Sequence, residues 1–476
     1  SSFNVASGAK LVVGDNTKIS TGNVVNNGTL VSETATDLDI NGNYTQSKGG
    51  KLQKYVGSKL NVSGVANLNG ALELTGVVDG YVTATNQNSD VILTAKGGVV
   101  NQFTSASSKN GLLLGKVNYT NNDVSVNVTR GTVANAVKQE EGFGNKVAIA
   151  SEMDEVLSAL DEIHQTTGLT EEQKRVYDEL LATSSTKALN SKLFKLDNSL
   201  YSKSLYDANI DQLSSDKNLV KNAQNGDAAW INNKYSHSSS KLSGTDVTRK
   251  NNTIEVGAAK GLGDVTVGGQ LNIKNLEWKD KFGSDTNNVE TDGVGVSISV
   301  NKKFENNVNV FGVVGLAKLN VEIEKDVKHK LDSKQYSVGI GADKTFVFDK
   351  LFVTPTVMVQ YIKIDGDNIE GVVKDVETNQ TVATFSVKVG YKFTKKLKMF
   401  AEVGVEHDVT QSSKYTSIRG GVEVQNELAL PDTRGVAKVG VEYQPKENIT
   451  VGAVYEYDGS SKIHTNSGSV FLKYTF

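Results

Sequence analysis

The feature that most constrains this chain is an alternation of apolar and polar residues that recurs throughout its second half. It is clear at the very end, GSVFLKYTF, where Val470, Leu472, Tyr474 and Phe476 share one face of a strand, because successive strand side chains point to opposite sides. Residues 449–457, ITVGAVYEY, repeat the pattern. A large aromatic at the last position is unexpected in water, since termini are usually solvated.

The connections between these segments define the kind of sheet. We count twelve alternating strands from near residue 230 onward, joined in turn by tight turns and by longer polar segments. An even number of strands with long connections at one end only predicts a 12-stranded antiparallel transmembrane β-barrel. A soluble β-sandwich or soluble barrel would explain the alternation but not this asymmetry. The segments predicted as long loops are 238–251, 279–290, 324–333, 364–380, 409–432 and 458–466.

The two faces of these strands have different compositions. Aromatic residues near strand ends predict girdles where amphipathic rings meet lipid headgroups. The predicted girdle residues are Trp230, Trp278, Tyr443, Tyr457 and Tyr474. Phe476 is expected to touch lipid or the machinery that inserts the barrel. The opposite face is rich in Gly, Lys, Glu, Ser and Thr, as a wet lumen requires, and Glu402, Lys438 and Glu442 are predicted to face the pore.

The first segment is a repeat. The phrases GAKL, NGTL, GGKL and NGAL place Gly8, Gly28, Gly50 and Gly70 at intervals of 20, 22 and 20 residues. Short Val/Leu/Ile strands with Gly/Asn corners at this period predict a parallel β-helix whose coils stack on each other. Leucine-rich repeats share the period, but their consensus is missing. From about Val91 the repeat loosens into strand-and-turn pairs, which are typical of a terminal cap.

The middle segment has helical spacing, with apolar residues three and four positions apart in VAIASEMDEVLSALDEI. Ser151 with Asp154, and Thr170 with Gln173, match the capping-box pattern, and Gly168 is a plausible helix stop. The last part, about Leu200–Asn225, is polar and leads straight into the barrel. We predict that it runs through the pore, because a helix satisfies its own backbone hydrogen bonds.

These patterns predict a mainly β protein of three parts: the C-terminal part of a β-helix with its cap (1–130), an α-helical linker (131–225) and the barrel (226–476). The formal charge is −3 with interspersed signs, so nucleic-acid binding is not expected. The absence of cysteine excludes thiol chemistry and disulfides. Residue 1 carries neither a start Met nor a signal peptide, which suggests a processing boundary.

Catalysis is not indicated either. The acidic pairs Glu140/Glu141, Asp161/Glu162 and Glu171/Glu172 lie on helical segments, where adjacent residues do not face each other. No Gly-x-Ser-x-Gly elbow occurs, and the five histidines are scattered without metal-ligand spacing. We therefore predict no catalytic residues, no metal site and no cofactor.

The order of the parts resembles the C-terminal portion of a monomeric (type Va) autotransporter of a Gram-negative bacterium. The resemblance is carried by NGNYTQSKGGKLQKYVGSKLNVSGVANLNGALEL, by GLLLGKVNYTNNDVSVNVTR, by ALNSKLFKLDNSLYSKSLYDANID and by the barrel with its terminal Phe476. It covers the whole chain. It implies a β-helical passenger stem at the cell surface, a helix through an outer-membrane translocator barrel, and self-translocation of the N-terminal passenger.

The same resemblance implies partners: outer-membrane lipid, the barrel assembly machinery with periplasmic chaperones that act on Phe476 as an assembly signal, and a host surface ligand of the passenger, for a chain that is a monomer. Relatives that cut their own passenger use an Asn with lumenal acids, a role for which Asn222 or Asn225 could be offered. Two alternatives stay open: a surface adhesin acting through the β-helix, and the non-catalytic part of an autotransporter serine protease with its catalytic region before Ser1.

Overall fold

The computed structural model describes residues 1–78, 80–138, 147–240 and 245–476. They form two compact units, Ser1–Leu196 and Asp197–Phe476. The acidic pair Glu140/Glu141 lies outside the described residues. The first unit contains β1 (Ser2–Val5), β2 (Lys10–Val12), β3 (Lys18–Asn26), β4 (Thr29–Ser32), β5 (Leu38–Gln46), β6 (Lys51–Val56), β7 (Leu60–Val62), β8 (Ala66–Asn67), β9 (Ala71–Val77), β10 (Ser89–Ala95), β11 (Val99–Val100), β12 (Ser105–Ser108), β13 (Leu113–Tyr119), β14 (Asp123–Arg130), α1 (Val133–Val137), α2 (Val147–Thr166), α3 (Glu171–Leu181) and α4 (Thr186–Leu196).

The second unit consists of one long helix and a large sheet. Its elements are α5 (Ser199–Ala223), β15 (Ala228–Ser240), β16 (Asp246–Leu262), β17 (Val265–Phe282), β18 (Asp285–Lys303), β19 (Val308–Glu324), β20 (Lys328–Lys344), β21 (Phe346–Phe348), β22 (Leu351–Gly366), β23 (Val373–Lys392), β24 (Leu397–Arg419), β25 (Val422–Glu427), β26 (Thr433–Lys446), β27 (Ile449–Gly459) and β28 (Ile463–Thr475).

Strands β1–β14, the solenoid, stack as the repeat predicts. Parallel pairing builds one sheet in the order β1-β3-β5-β7-β10 and another in the order β2-β4-β6-β9-β12. The repeat leucines lie in register, Leu11 beside Leu30, Leu30 beside Leu52 and Leu52 beside Leu72. Leu30, Leu52 and Leu72 are fully buried. The sequence period therefore corresponds to one coil of a solenoid with an apolar core.

Three of the four corner glycines of the repeat, Gly28, Gly50 and Gly70, are required by close backbone contact between coils. A Cβ on Gly28 would lie 2.3 Å from the carbonyl oxygens of Ala6 and Ala9, and one on Gly50 would lie 2.3 Å from that of Asn26. Gly70 also has a φ of +63°, which L side chains rarely adopt. The corners therefore exclude side chains for steric reasons.

The solenoid ends in an antiparallel pair, β13 with β14, and β14 also pairs with β10. Buried Arg130 at the end of β14 donates to both carboxylate oxygens of Asp161 in α2, at 2.7 and 2.8 Å. Burial alone would raise the pKa of Asp161, but the hydrogen bonds from Arg130 and from the Tyr81 hydroxyl hold it below its usual value. This ion pair fixes α2 against the cap.

The predicted helix signals have different outcomes. The capping box of Thr170 and Gln173 is present at the start of α3, and Gly168, with φ of +80°, ends α2. The capping box of Ser151 and Asp154 is wrong, because both residues lie inside α2. The Asp154 carboxylate instead accepts from the amides of Val133 and Ala134, the first residues of α1, where the helix has unpaired donors.

The sheet of the second unit closes into a barrel. Each strand pairs antiparallel with its chain neighbour, and β15 pairs with β28 from Ala228 beside Thr475 to Ser240 beside Ile463. Twelve strands form the barrel, and the short strands β21 and β25 are added at its two ends. The predicted 12-stranded antiparallel barrel is thus confirmed. None of the described helices is long and apolar enough to cross a membrane.

Several segments predicted as long loops are instead regular strand extensions. Strand β17 continues to Phe282 and β18 begins at Asp285, so most of residues 279–290 form a hairpin, and β19 and β20 do the same across residues 324–333. Residues 241–244 of the first predicted loop lie outside the described residues. In the extensions at 279–290 and 324–333 the apolar–polar alternation fades because both faces are polar, but the backbone pairing between the strands continues.

Candidate functional site

The candidate site is the lumen of the barrel, which contains helix α5. The helix contacts strands β15–β20 and β22–β24. Most of its side chains are buried, including the polar residues Ser202, Asn209 and Asp216. A helix has no unpaired backbone groups along its length, so it fits a lumen in which only side chains must find partners.

Ion pairs hold the helix at one depth and one rotation. Asp207 pairs with Arg249 of β16, the Asp211 carboxylate lies 3.0 Å from the Lys274 ammonium of β17, and Lys217 pairs with Glu406 of β24. All but Lys217 are nearly inaccessible to solvent. Because a buried charge without a partner is costly, these pairs select the register at which all are satisfied.

Small residues on the barrel wall let the helix approach closely. A Cβ on Gly268 would lie 2.6 Å from the Cβ of Ala223, and one on Gly315 would lie 3.1 Å from the Asp216 carboxylate. That carboxylate accepts hydrogen bonds from the hydroxyls of Ser297 at 2.8 Å and Ser337 at 2.6 Å. The helix is therefore packed against the wall formed by β17–β20.

At the end with the long hairpins, apolar side chains surround the start of the helix. Leu200, Tyr201 and Leu205 of α5 pack with barrel residues such as Trp278 and Leu319. We call this cluster the apolar collar; its other members include Tyr206, Ala208, Val247, Leu276, Val289, Val321, Ile323, Leu331, Ile364, Val373, Val376, Tyr415, Leu430 and Ile463. Close-packed apolar side chains exclude water, so the collar closes this end of the lumen.

Beside the last turns of α5 lies a water-accessible space of about 480 Å³, the lumen cavity, against β22–β24 and β26–β28. The three residues predicted to face the pore, Glu402, Lys438 and Glu442, all lie in its wall. The Lys438 ammonium lies 3.1 Å from Glu456, and Glu442 lies 3.7 Å from Lys398. Lys438 and Glu442 therefore form ion pairs with residues of neighbouring barrel strands and not with α5. Asn222 and Asn225 also line the cavity.

Two of the predicted girdle residues, Trp230 and Trp278, face the lumen rather than lipid, so these two predictions are wrong. Trp230 is buried in the lumen, where its indole N–H donates to Gln270 at 2.9 Å and its ring packs near Leu219 of α5. Trp278 belongs to the apolar collar, with Arg249 over its ring at 5.2 Å. Both have the same strand phase as inward polar neighbours, so their rings fill the space around the helix rather than meet lipid.

The other predicted girdle residues lie at outward positions: Tyr443, Tyr457 and Tyr474 are 45%, 38% and 41% exposed. Phe476 is 76% exposed, its amide donates to the carbonyl of Asp227 at 3.0 Å, and its ring meets that of Tyr474 edge-on at 5.1 Å. The two-residue phase of the final strand is confirmed, because Val470 and Leu472 face outward while Phe471 and Lys473 line the lumen cavity.

The sequence did not identify the residues that hold the helix. Asp207 and Asp211 are four positions apart and thus share a helix face, which is a detectable signal. Arg249 and Lys274 each occupy an inward phase, but their partners are 42 and 63 positions away. In the described part of the chain, no group of three or more His, Asp or Glu side chains could hold a metal ion.

The outer surface of the barrel, unlike its lumen, is a continuous band of exposed apolar side chains. Outward positions such as Val294, Leu316 and Ile340 are 56%, 59% and 65% exposed, while many inward positions outside the apolar collar are polar or charged. Only a hydrocarbon solvent favours that arrangement over a whole closed barrel, so the fold is that of an integral outer-membrane β-barrel.

The comparisons with known proteins name the family. Residues 229–456 match the family model described as autotransporter β-domain. The barrel therefore belongs to the autotransporter family. The barrel is thus an autotransporter translocator of the outer membrane, a transport unit.

Solved structures with a similar barrel include three autotransporter domains. The translocator domain of NalP from Neisseria meningitidis is 16% identical to this chain. The match covers 59% of this chain and 100% of the NalP domain, with a TM-score of 0.49. The transport unit of AIDA-I from Escherichia coli is 16% identical; the match covers 55% of this chain and 98% of the AIDA-I structure, with a TM-score of 0.46. The β-domain of the Bordetella autotransporter BrkA is 14% identical; the match covers 53% of this chain and 100% of the BrkA structure, with a TM-score of 0.42. No curated protein matches the sequence.

Proposed function

We propose that the barrel, residues 226–476, exports the part of the chain before it, that residues 131–225 are the linker, and that α5 remains in the lumen as a plug. The β-solenoid of residues 1–130 is then the stem of a passenger at the cell surface. The observation that carries the proposal is the direction of α5 within the barrel. Its first turn lies among the long hairpins, where the Asn198 amide group donates to Val372 and Ser417. Its last turn leads to Ala228, beside Thr475.

That direction matches the asymmetry of the connections. Short turns of outer-membrane barrels face the periplasm and longer connections face outward. The first and last barrel strands begin and end beside the short turns, so a chain entering there and leaving among the long hairpins crosses the membrane inside the barrel. A helix is about 10–12 Å across with its side chains, which nearly fills a small barrel.

Electrical conductance tests the plug. The chain in a planar bilayer should conduct little, and removing residues 131–225 should raise its single-channel conductance several-fold. Removing residues 1–130 alone is the matched control and should leave conductance low, because α5 remains. Equal conductance with and without residues 131–225 would show that the helical segment does not block the pore.

The proposal includes assembly partners. The barrel is embedded in outer-membrane lipid. We infer that it is inserted as a monomer by the barrel assembly machinery with periplasmic chaperones, which recognise Phe476 at the closing strand, and that Tyr443, Tyr457 and Tyr474 form part of its girdle. The exposed position of Phe476 beside the closing seam supports this inference.

Replacing Phe476 tests the assembly signal. Phe476→Asp should reduce the amount of folded, heat-modifiable barrel in the outer membrane, whereas Phe476→Tyr should retain it. Wild-type levels of folded barrel in the Phe476→Asp strain would refute the role.

The passenger's binding partner is a further part of the proposal. A host surface ligand of the solenoid would make the protein an adhesin, and a protease before Ser1 would make the solenoid a support. A pull-down of host ligands with the purified chain, compared with a chain lacking residues 1–130, separates these two alternatives.

A further inference from the structure

The lumen cavity contains more positive than negative charge. Seven lysines and five carboxylates line it, an excess of two positive charges. The cavity is bounded by the end of α5 and by barrel strands, and low-dielectric walls concentrate the field of an unbalanced charge. The excess therefore acts on any small ion that enters.

One of the two excess charges arises because Lys234 and Lys438 share Glu456, and the other lies among the groups without an ion pair, which are three lysines and two carboxylates. Lys217, Lys234, Lys398 and Lys438 each have a carboxylate partner. Among the described residues, Lys221, Lys388 and Lys473 form no ion pair within 4 Å, and the Lys473 ammonium donates to the carbonyl of Asn222 at 2.8 Å. The carboxylates of Asp343 and Glu402 are likewise without an ion pair there.

Two of these lysines converge from different elements. The Lys221 ammonium of α5 lies 4.7 Å from the centre of the Phe400 ring, and the Lys388 ammonium of β23 lies 4.4 Å from it. An aromatic ring attracts a cation through its quadrupole but carries no net charge. Two like charges therefore meet at one ring, and neither has a carboxylate partner within 4 Å among the described residues.

We propose that the lumen cavity binds a small divalent oxyanion, of the chemical class of phosphate, between the ammonium groups of Lys221 and Lys388, with Lys473 nearby. Lysine binds phosphate as a compact point charge. A divalent anion would balance the excess of two charges and would join the helix to the barrel wall. The site goes beyond the export proposed above and does not depend on the direction of the passenger.

Calorimetric titration of the purified full chain with inorganic phosphate, in zwitterionic detergent at constant ionic strength set with chloride, tests the site. One phosphate should bind per chain. The double variant Lys221→Gln/Lys388→Gln should bind about tenfold more weakly or worse, because it loses two charge-assisted contacts. Lys395→Gln, at an exposed turn lysine outside the cavity, should bind as the wild type does.

The heat-modifiable band confirms that each variant is folded before titration. If the double variant does not fold, the single variants decide: Lys388→Arg should keep the affinity within a few-fold and Lys388→Gln should lose it. Absence of phosphate binding to the wild type, or equal affinity in the wild type and the Gln variants, would overturn the proposal. Conductance is not used here, so failure of the site and failure of the plug are distinguishable.

Discussion

The solenoid and the barrel are both built from alternating strands, but their interiors are opposite. Inside the solenoid lie stacked apolar side chains, among them Leu30, Leu52 and Leu72. Inside the barrel, beyond the apolar collar, lie polar and charged groups such as Lys274 and Asp216, while a continuous band of apolar side chains faces outward. Alternation shows that a strand has one apolar face, but it does not show whether that face is inside or outside.

The difference also changes what each interior tolerates. The solenoid core is dry and close-packed, so a new charge there has no solvent. The lumen of the barrel contains ion pairs and a water-accessible cavity of about 480 Å³, so a new charge there can be hydrated. Four experiments test this contrast, starting with the largest expected effect.

A carboxylate placed in each interior should have very different effects. Leu52→Asp should lower the free energy of unfolding of the solenoid by about 5 kcal/mol or more, because the charge is buried without a partner. Thr356→Asp, in the wall of the lumen cavity, should change the stability of the barrel by less than about 1 kcal/mol. Urea unfolding followed by circular dichroism measures the first and heat-modifiable migration the second. Similar losses in both units would refute the contrast between the interiors.

Two outward apolar residues of nearly equal exposure should respond differently to arginine. Ile340, 65% exposed on the barrel face, should cost about 2–4 kcal/mol as Ile340→Arg, because it meets hydrocarbon. Val327, 62% exposed in the turn between β19 and β20, should cost almost nothing as Val327→Arg, because it meets water. Unfolding by guanidinium in lipid vesicles measures both, and equal costs would contradict a lipid solvent at Ile340.

Lys54 should make the solenoid more stable at alkaline pH. Its side chain is buried and donates to Ser58 at 2.7 Å, and burial lowers its pKa from 10.5 to about 8. Between these values the unfolded chain binds more protons than the folded one, so the free energy of unfolding should rise with pH by at most about 3 kcal/mol. The variant Lys54→Met should lack this rise when urea midpoints are compared from pH 7 to 10.5. An unchanged pH profile in the variant would exclude Lys54 as its source.

The smallest expected effect concerns the corners of the solenoid. Gly28→Ala should destabilise the solenoid by about 1–3 kcal/mol, because the new Cβ would meet two carbonyl oxygens at 2.3 Å. Gly49→Ala is the matched control: nothing lies within 4 Å of its Cβ position, so its effect should stay within about 0.5 kcal/mol. Urea unfolding of both variants decides, and equal stability would mean that the coils can separate at this corner.

The main architecture could be predicted from the sequence because it depends on periodic, local information. The interval between Gly28 and Gly50 matches one coil, and the two-residue phase of the final strand places Val470 outward and Lys473 inward. The same reasoning misplaced Trp230. Trp230 lies two positions before the buried Asn232 in one strand, so the two share the inward face, and the alternation itself places Trp230 in the lumen.

The sequence by itself determined which residues alternate, where the coils repeat and that a helix precedes the barrel, since each follows from spacing along the chain. Only the tertiary structure decided which charges pair inside the lumen. Asp211 meets Lys274, and Lys217 meets Glu406 across 189 positions, because barrel closure brings distant inward positions around one helix. No pattern in the sequence distinguishes Gly268 and Gly315 from the other glycines. Their role, leaving room for α5 against the barrel wall, follows only from the distance at which the helix packs.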